Sequence, residues 1–331
     1  MDLALLKKIL VKEPSFRLKQ AKKAIFRDLT EDWSGITTFP LSLREKLKEK
    51  YPLKIQAKTF TSGDKRTVKV VINLKDNLQI ETVLMRHKNK RNTVCVSSQV
   101  GCPLGCIFCA TGKSGFKRNL EVFEIVEQVL FFARYLKKDK QKVTNIVFMG
   151  MGEPFLNYDN VLDAIKVLND KEGFNLGARR FSISTVGIIN GIKKLAEEKL
   201  EVNLAISLHA PDDTLRSKII PINKKYPISK VLKAIEEYIK KTRRRVMFEY
   251  IMIKGLNDSD EHAKKLAELM KKRELSFMNL ISYNPTGVFK PSPSIRIKKF
   301  KDILEKAKIA VTQRYRFGQD IKGACGQLTA K

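Results

Sequence analysis

The sequence predicts an α/β protein of six β/α units, preceded by a small basic helical domain and a β-meander. Three observations carry this. Apolar, strand-like runs alternate with helical patterns from about residue 92 onward, the hydrophobic period is two over 53–88, and before residue 50 short helical stretches are cut by prolines.

In chain order, "LALLKKIL" and "FRLKQAKKAIF" are separated by Pro14, and "LSLREKLKEKY" follows Pro40, which delimits a helical domain over 1–52. Over 53–90, "LKIQAKTF", "RTVKVVINL" and "LQIETVLMR" alternate apolar with polar residues and are divided by the turn signals "TSGDK" and "KDN", as in a β-meander. The main domain, 91–317, holds the strand candidates "TVCVSS", "NIVFMG", "RFSISTVG", "VNLAISLH", "RRVMFEYIMI" and "SFMNLISYN". Its clearest helix covers 121–136, where Val122, Ile125, Val126, Val129, Leu130 and Ala133 mark one face. Strands this apolar, each followed by a helix, imply a parallel sheet covered by helices. Periodicity leaves two versions open, a doubly wound sheet and an incomplete barrel. Residues 318–331 close the chain with "GQDIKGACGQL", whose glycines 318, 323 and 326 suggest a mobile loop.

Lys and Arg number 65 against 35 Asp and Glu, a net charge of +30 spread over the whole chain. A polyanionic partner follows from that excess, and nucleic acid suits it better than a membrane surface, because no lipid-seeking aromatic helix accompanies the charge. No apolar run approaches the roughly 18 residues of a membrane span, and the N-terminus lacks a cleavage site, so a cytoplasmic location is expected. Five cysteines without a signal peptide argue against a disulfide framework and for metal or redox chemistry.

The chemistry-bearing residues fall at the carboxyl ends of the expected strands, the edge at which parallel α/β folds place active sites. Cys102, Cys106 and Cys109 follow the first strand and "GMGEP", with Gly152 and Glu153, follows the second. Ser184 closes the third, Ser207, Leu208 and His209 the fourth, and Asn284 the sixth. A structural zinc site closes with four ligands, usually in two paired clusters, and no second cluster exists here; His87 and His262 are isolated and read as surface residues. Three thiolates can instead hold three irons of a [4Fe–4S] cluster and leave the fourth open.

Cys325, flanked by glycines near the chain end, suits nucleophilic or carrier chemistry, whereas Cys95 lies on a strand, where free cysteines are ordinarily buried and inert. A thiol with a pKa of about 8.5 is only a few per cent thiolate at neutral pH, so Cys325 needs a lowered pKa or a strong electrophile such as a sulfonium methyl.

The C-x3-C-x2-C spacing with Phe108 before the last cysteine resembles the radical S-adenosylmethionine (SAM) superfamily. That resemblance implies a partial (β/α)6 barrel, with SAM chelating the open iron and cleaved to a 5′-deoxyadenosyl radical. "CVSSQVGCPLGCIFC", "GMGEPFLN", "SLHAPDD" and "ACGQL" together resemble the RlmN/Cfr family of RNA methyltransferases over nearly the whole chain. Several further expectations follow from it. Gly152, Glu153, Ser184, Ser207, Leu208, His209 and Asn284 would bind the cofactor. Two SAM molecules would be used per turnover, one to methylate Cys325 and one to generate the radical. Cys95 would release the product by forming a disulfide with Cys325, and Glu81 would take the C2 proton of adenine. The substrates would be an adenosine of 23S rRNA and of tRNA, with the basic helical domain assisting RNA binding. A flavodoxin or ferredoxin would donate electrons to a monomeric enzyme. Pro154 favours C2 over C8 as the methylated carbon. A non-catalytic iron–sulfur RNA-binding protein is the rival reading, and the retained "GMGEP" and "ACGQL" argue against it.

Overall fold

The computed structural model describes residues 3–271, 273–287, 289–314 and 316–329. Its strands are β1 (Ala57–Thr61), β2 (Thr67–Asn73), β3 (Gln79–Arg86), β4 (Asn92–Cys95), β5 (Gln99–Gly101), β6 (Phe116–Asn119), β7 (Asn145–Phe148), β8 (Phe181–Thr185), β9 (Asn203–Ser207), β10 (Val246–Met252), β11 (Ser276–Ser282) and β12 (Val311–Gln313). One sheet runs β1-β2-β3-β4-β7-β8-β9-β10-β11-β12, and β5 pairs with β6 as a separate antiparallel ribbon.

From β4 to β11 each strand lies parallel beside its predecessor. A doubly wound sheet would reverse its strand order at a switch point; this steady progression is that of an incomplete barrel wall. Helices Val122–Lys137, Tyr158–Asn169, Ile189–Glu197, Ile228–Thr242, Asp260–Met270 and Ser294–Lys306 supply the outer layer. Strand residues including Ile146, Leu204, Ile206, Phe248 and Leu280 are almost wholly buried. Each such side chain contributes about 1.5–3 kcal/mol through removal from water.

The expectation of six strands is corrected by a seventh parallel strand, β12, which pairs with β11 through Met278 and Val311. It is three residues long, with Thr312 and Gln313 exposed, too short and polar to impose a detectable period. The first meander segment also starts later than expected, at Ala57. The meander continues the barrel wall, since β3 pairs antiparallel with β4 and sets Val83 opposite Cys95.

Helices Leu3–Ile9, Ser15–Phe26 and Leu41–Lys50 build the N-terminal part. They join the main sheet's outer layer through Arg134, whose Nη1 donates to the Leu53 carbonyl (2.8 Å) and Nη2 to the Thr30 carbonyl (2.7 Å). Among the described residues no helix is long and apolar enough to cross a membrane.

The C-terminal segment is not a mobile loop. Ala110 N donates to the Gly326 carbonyl (2.7 Å), Thr111 Oγ1 to the Leu328 carbonyl (2.6 Å), and Ala324 and Leu328 are buried. Its glycines permit close approach: Gly318 sits at φ +61, and a Cβ there would lie 2.5 Å from Thr67 Cγ2. Residues 330 and 331, like 1 and 2, lie outside the described residues.

Candidate active site

The three-cysteine loop is set by the β5–β6 ribbon at its stem. Gly101 takes φ +79 and any Cβ would meet the Gly115 carbonyl at 1.9 Å, so the two strands can cross only at a glycine. Cys102 N then donates to that carbonyl (2.8 Å), and Cys109 N to Cys106 O (3.1 Å) folds the loop back on itself. Phe108 is buried edge-on against His209, with ring centroids 5.1 Å apart. The aromatic residue thus anchors the cysteine loop to the end of β9.

All three cysteines line a cavity of about 950 Å³, its open mouth included, together with Gly152, Glu153, Ser184, Ser207 and His209. Burial, the first cause in each case, pushes the Cys102 thiol up to about 12 and the Cys106 thiol well above its ordinary value. Neighbouring Cys109 raises both further. Thiols in this setting ionise only against a strong cation, as metal ligation provides. Among the described residues no three His, Cys, Asp or Glu side chains converge as the ligands of a single ion would. Three soft donors spread along a cavity wall suit a multi-iron cluster better than one zinc ion.

The "GMGEP" turn is packed directly on this stem. Gly150 would place a Cβ 2.7 Å from the Val96 carbonyl, and Gly152, at φ +98, one 2.5 Å from Gln99 Cβ. Glu153 N donates to Gln99 Oε1 (2.9 Å), while its carboxylate accepts from Phe155 N (3.1 Å) and Val186 N (3.0 Å). Burial raises the Glu153 pKa to about 7 despite those bonds. A cationic amine entering the cavity would restore its charge.

Ser184 and Ser207 face each other across β8 and β9 with their hydroxyls 3.2 Å apart. His209, at φ +60, accepts from Ile251 N through Nδ1, and burial lowers its pKa to about 3, so it is neutral. Leu208 is fully buried and does not line the cavity; its N–H donates to the Glu249 carbonyl and its own carbonyl accepts from Arg216 Nε, which makes it a core position and not a cofactor contact. The Asn284 carboxamide is turned toward the tail, donating to the Cys325 carbonyl (3.1 Å) and accepting from Gln319 (2.7 Å).

Cys325 lines the same cavity from the opposite side and also a second one of about 540 Å³, which it shares with Cys95, Val83 and Asn284. Cys95 is buried on β4 with its thiol raised to about 12, first by burial and then by the negative charge of neighbouring Cys325. Glu81 is not exposed on its strand: its Oε1 pairs with Lys69 Nζ (2.9 Å) and Oε2 accepts from Thr329 N (2.9 Å), so it ties the tail to the meander. His87 contacts Arg91, Thr93 and Phe317, and His262 caps its own helix with Ser259; neither faces the cavity.

Two site residues escaped sequence reasoning. Glu249 accepts from Ser184 Oγ through Oε2 (2.6 Å) and from Arg314 Nη1 through Oε1 (3.4 Å). A lone carboxylate inside the apolar run "VMFEYIM" was the available signal for Glu249; nothing in "QRYRFG" marked Arg314.

Residues 96–267 match the family model described as the radical SAM superfamily. Over 320 residues the chain is 47% identical to a Dictyoglomus thermophilum protein named "Probable dual-specificity RNA methyltransferase RlmN", covering 96% of this chain and 91% of the relative. A Carboxydothermus hydrogenoformans protein of the same name is 47% identical over 324 residues, covering 96% and 93%. The "Ribosomal RNA large subunit methyltransferase N" of Nitrosopumilus maritimus is 42% identical over 323 residues, covering 95% and 92%. A radical SAM methyltransferase from Sphaerobacter thermophilus, known from its crystal structure and 42% identical, superposes with a TM-score of 0.95, covering 99% of this chain and 97% of that one.

Proposed function

This chain belongs to the radical SAM superfamily and, within it, to the RlmN family of RNA methyltransferases, and from that premise we propose that it methylates C2 of an adenosine in 23S rRNA and tRNA with Cys325 as the methyl carrier. It is a SAM-dependent radical methyltransferase whose cofactors are a [4Fe–4S] cluster and SAM. One observation carries the reading of Cys325: its side chain stands on the wall between the cavity of the three cysteines and the cavity of Cys95. A carrier has to reach both.

Cys102, Cys106 and Cys109 hold the cluster in this reading, and Gly152, Glu153, Ser184, Ser207 and His209 receive SAM beside it. When bound, these groups supply a methyl electrophile for a thiolate and a one-electron route to a carbon radical. Adenine C2 is electron-poor, so a methyl cation equivalent does not add there and a carbon radical can.

The chain's own residues do the rest. Cys325 takes the methyl as a thioether and, after that carbon has lost a hydrogen, joins it to C2. Glu81, hydrogen-bonded to the tail at Thr329, takes the C2 proton, and the unpaired electron left by radical addition departs by the same one-electron route, which restores the aromatic ring. Cys95 then attacks Cys325 Sγ: an S–S bond forms as the S–C bond breaks, and the electron pair goes to the product carbon, which takes a proton. Asn284, itself held by Gln319, positions the carrier by donating to the Cys325 carbonyl.

The excess of 30 positive charges supports an RNA partner through phosphate contacts, and extrusion of the target base into the cavity gives access to C2. The protein acts in the cytoplasm as a monomer, reduced by a flavodoxin or ferredoxin. Intact-protein mass spectrometry after incubation with SAM is expected to show one added methyl on Cys325, and nuclease mapping of the RNA to show 2-methyladenosine. An unmodified Cys325 would exclude the carrier role, and 8-methyladenosine would exclude C2.

A further inference from the structure

Arg314 stands where the two cavities meet and lines both of them, as Cys325 does. Its backbone N–H donates to the Leu280 carbonyl (2.9 Å), and its guanidinium rests against Met149 Sδ at 3.5 Å. Glu249 holds Nη1, and Ser184 in turn holds Glu249. The side chain is only 20% exposed, so this cation is fixed beside the thiol pair at the cost of desolvation.

Resting on the assignment of Cys325 as carrier, we propose that Arg314, held by Glu249, is a positioning residue that stabilises one thiolate at a time: Cys325 while it receives the methyl group, then Cys95 once Cys325 has become a thioether and lost its charge. In the first step the Cys325 Sγ–carbon bond forms as the sulfonium–methyl bond breaks, with the pair remaining on the departing sulfur. In the last, Cys95 Sγ bonds to Cys325 Sγ and the pair of the broken S–C bond passes to the product carbon.

The electrostatics agree in direction. The Cys325 charge is the largest influence holding Arg314 protonated, ahead of Glu249 and Cys95. Conversely, Cys325 raises the Cys95 thiol while Arg314 lowers it. Two adjacent thiolates repel, so one guanidinium serves one at a time. Other charged groups facing the pair are Arg316, exposed at the mouth and engaged with Ser282 Oγ, and, across the cofactor cavity, Glu153, neutral His209 and the cluster cysteines.

The test is alkylation of the iron-loaded protein by iodoacetamide over a pH series, read at Cys325 and Cys95 by peptide mass spectrometry. In R314Q alkylation of Cys325 at neutral pH is expected to slow by about tenfold, as the loss of an opposite charge near the sulfur requires, and R314K is expected to restore most of the rate. In C325S the Cys95 midpoint is expected to fall relative to the unsubstituted protein, and C325S/R314Q to lose that fall. An unchanged Cys325 alkylation rate in R314Q overturns the proposal. So does a Cys95 midpoint identical with and without C325S, a comparison that needs no Arg314 variant to fold. Shifted midpoints in a protein whose Cys325 never gains a methyl would instead refute the carrier role.

Discussion

Two sulfur assemblies meet at one strand edge and are made in opposite ways. The first packs Cys102, Cys106 and Cys109 into eight consecutive residues, closed at the stem by β5 and β6. The second joins Cys95, on the first barrel strand, to Cys325, near the chain end. The loop carries its geometry in its own backbone turns. The thiol pair exists only while the tail is docked, through Ala110, Thr111, Asn284 and Glu81. A cluster site must stay rigid around its irons, whereas a carrier has to bring its sulfur to two partners. Local construction suits the first need and a separately anchored segment the second.

The largest test of that contrast is Cys106→Ala. It removes one of the three proposed ligands and is expected to eliminate the iron–sulfur absorbance, SAM cleavage and RNA methylation together. Iron and sulfide analysis beside activity measures this, and retention of a full cluster would break the distinction at its stronger end.

Next, Cys325→Ala is expected to abolish RNA product while leaving cluster content and cofactor cleavage intact, and Cys95→Ala to leave protein covalently attached to RNA on a denaturing gel. If Cys325→Ala also lost its iron, the two assemblies would be one unit. Free methylated RNA from Cys95→Ala would remove that residue from the release step.

Beside the loss of C2 proton removal in the proposed mechanism, a smaller effect, on stability, is expected from Glu81→Ala, which removes the partner of the buried Lys69 ammonium and the acceptor of the Thr329 N–H. Loss of one partner of a buried pair costs about 3 kcal/mol. Denaturant titration should show that loss and limited proteolysis a faster cut in the tail; an unchanged tail would mean that Glu81 anchors nothing.

The gentlest test is pH. The Glu153 carboxyl is raised in the folded protein to about 7 from an ordinary 4.5. Between those values the folded state keeps a proton that the unfolded chain releases, so the cofactor-free protein should be most stable below about pH 4.5 with respect to this group and lose that contribution as pH rises toward 7. In the proposed site the SAM ammonium would favour the ionised Glu153 carboxylate, so affinity should increase over the same window. Thermal melts with and without SAM measure both trends, and Glu153→Gln should flatten them.

Much of the cluster assembly was legible because its information is local. The cysteine spacing and the glycines of "GMGEP" are short sequence patterns that can be read without their neighbours, although Phe108 and those glycines complete their packing on His209, Val96 and Gln99. The carrier assembly was legible only in part. Cys325 stood out through the glycines around it, but Gly318 permits close packing on Thr67 rather than motion, a distinction that depends on a neighbour far away in sequence. Glu81 was singled out only by the family resemblance, as the base; its burial beside Lys69 and the tail rests on residues far from it in sequence. Arg314 lies beyond a three-residue strand with no periodic pattern, and its significance comes entirely from Glu249, Cys95 and Cys325.

By itself the amino-acid sequence determined the alternation of strands and helices, the three-thiol loop and the excess positive charge. These depend on hydrophobic period, residue spacing and composition, which act over short stretches or over none at all. Only the tertiary structure decided that the wall is singly wound, that the tail is docked and that a guanidinium lines both cavities. Each of those is a contact between distant segments, whose closure depends on the packing of the entire sheet.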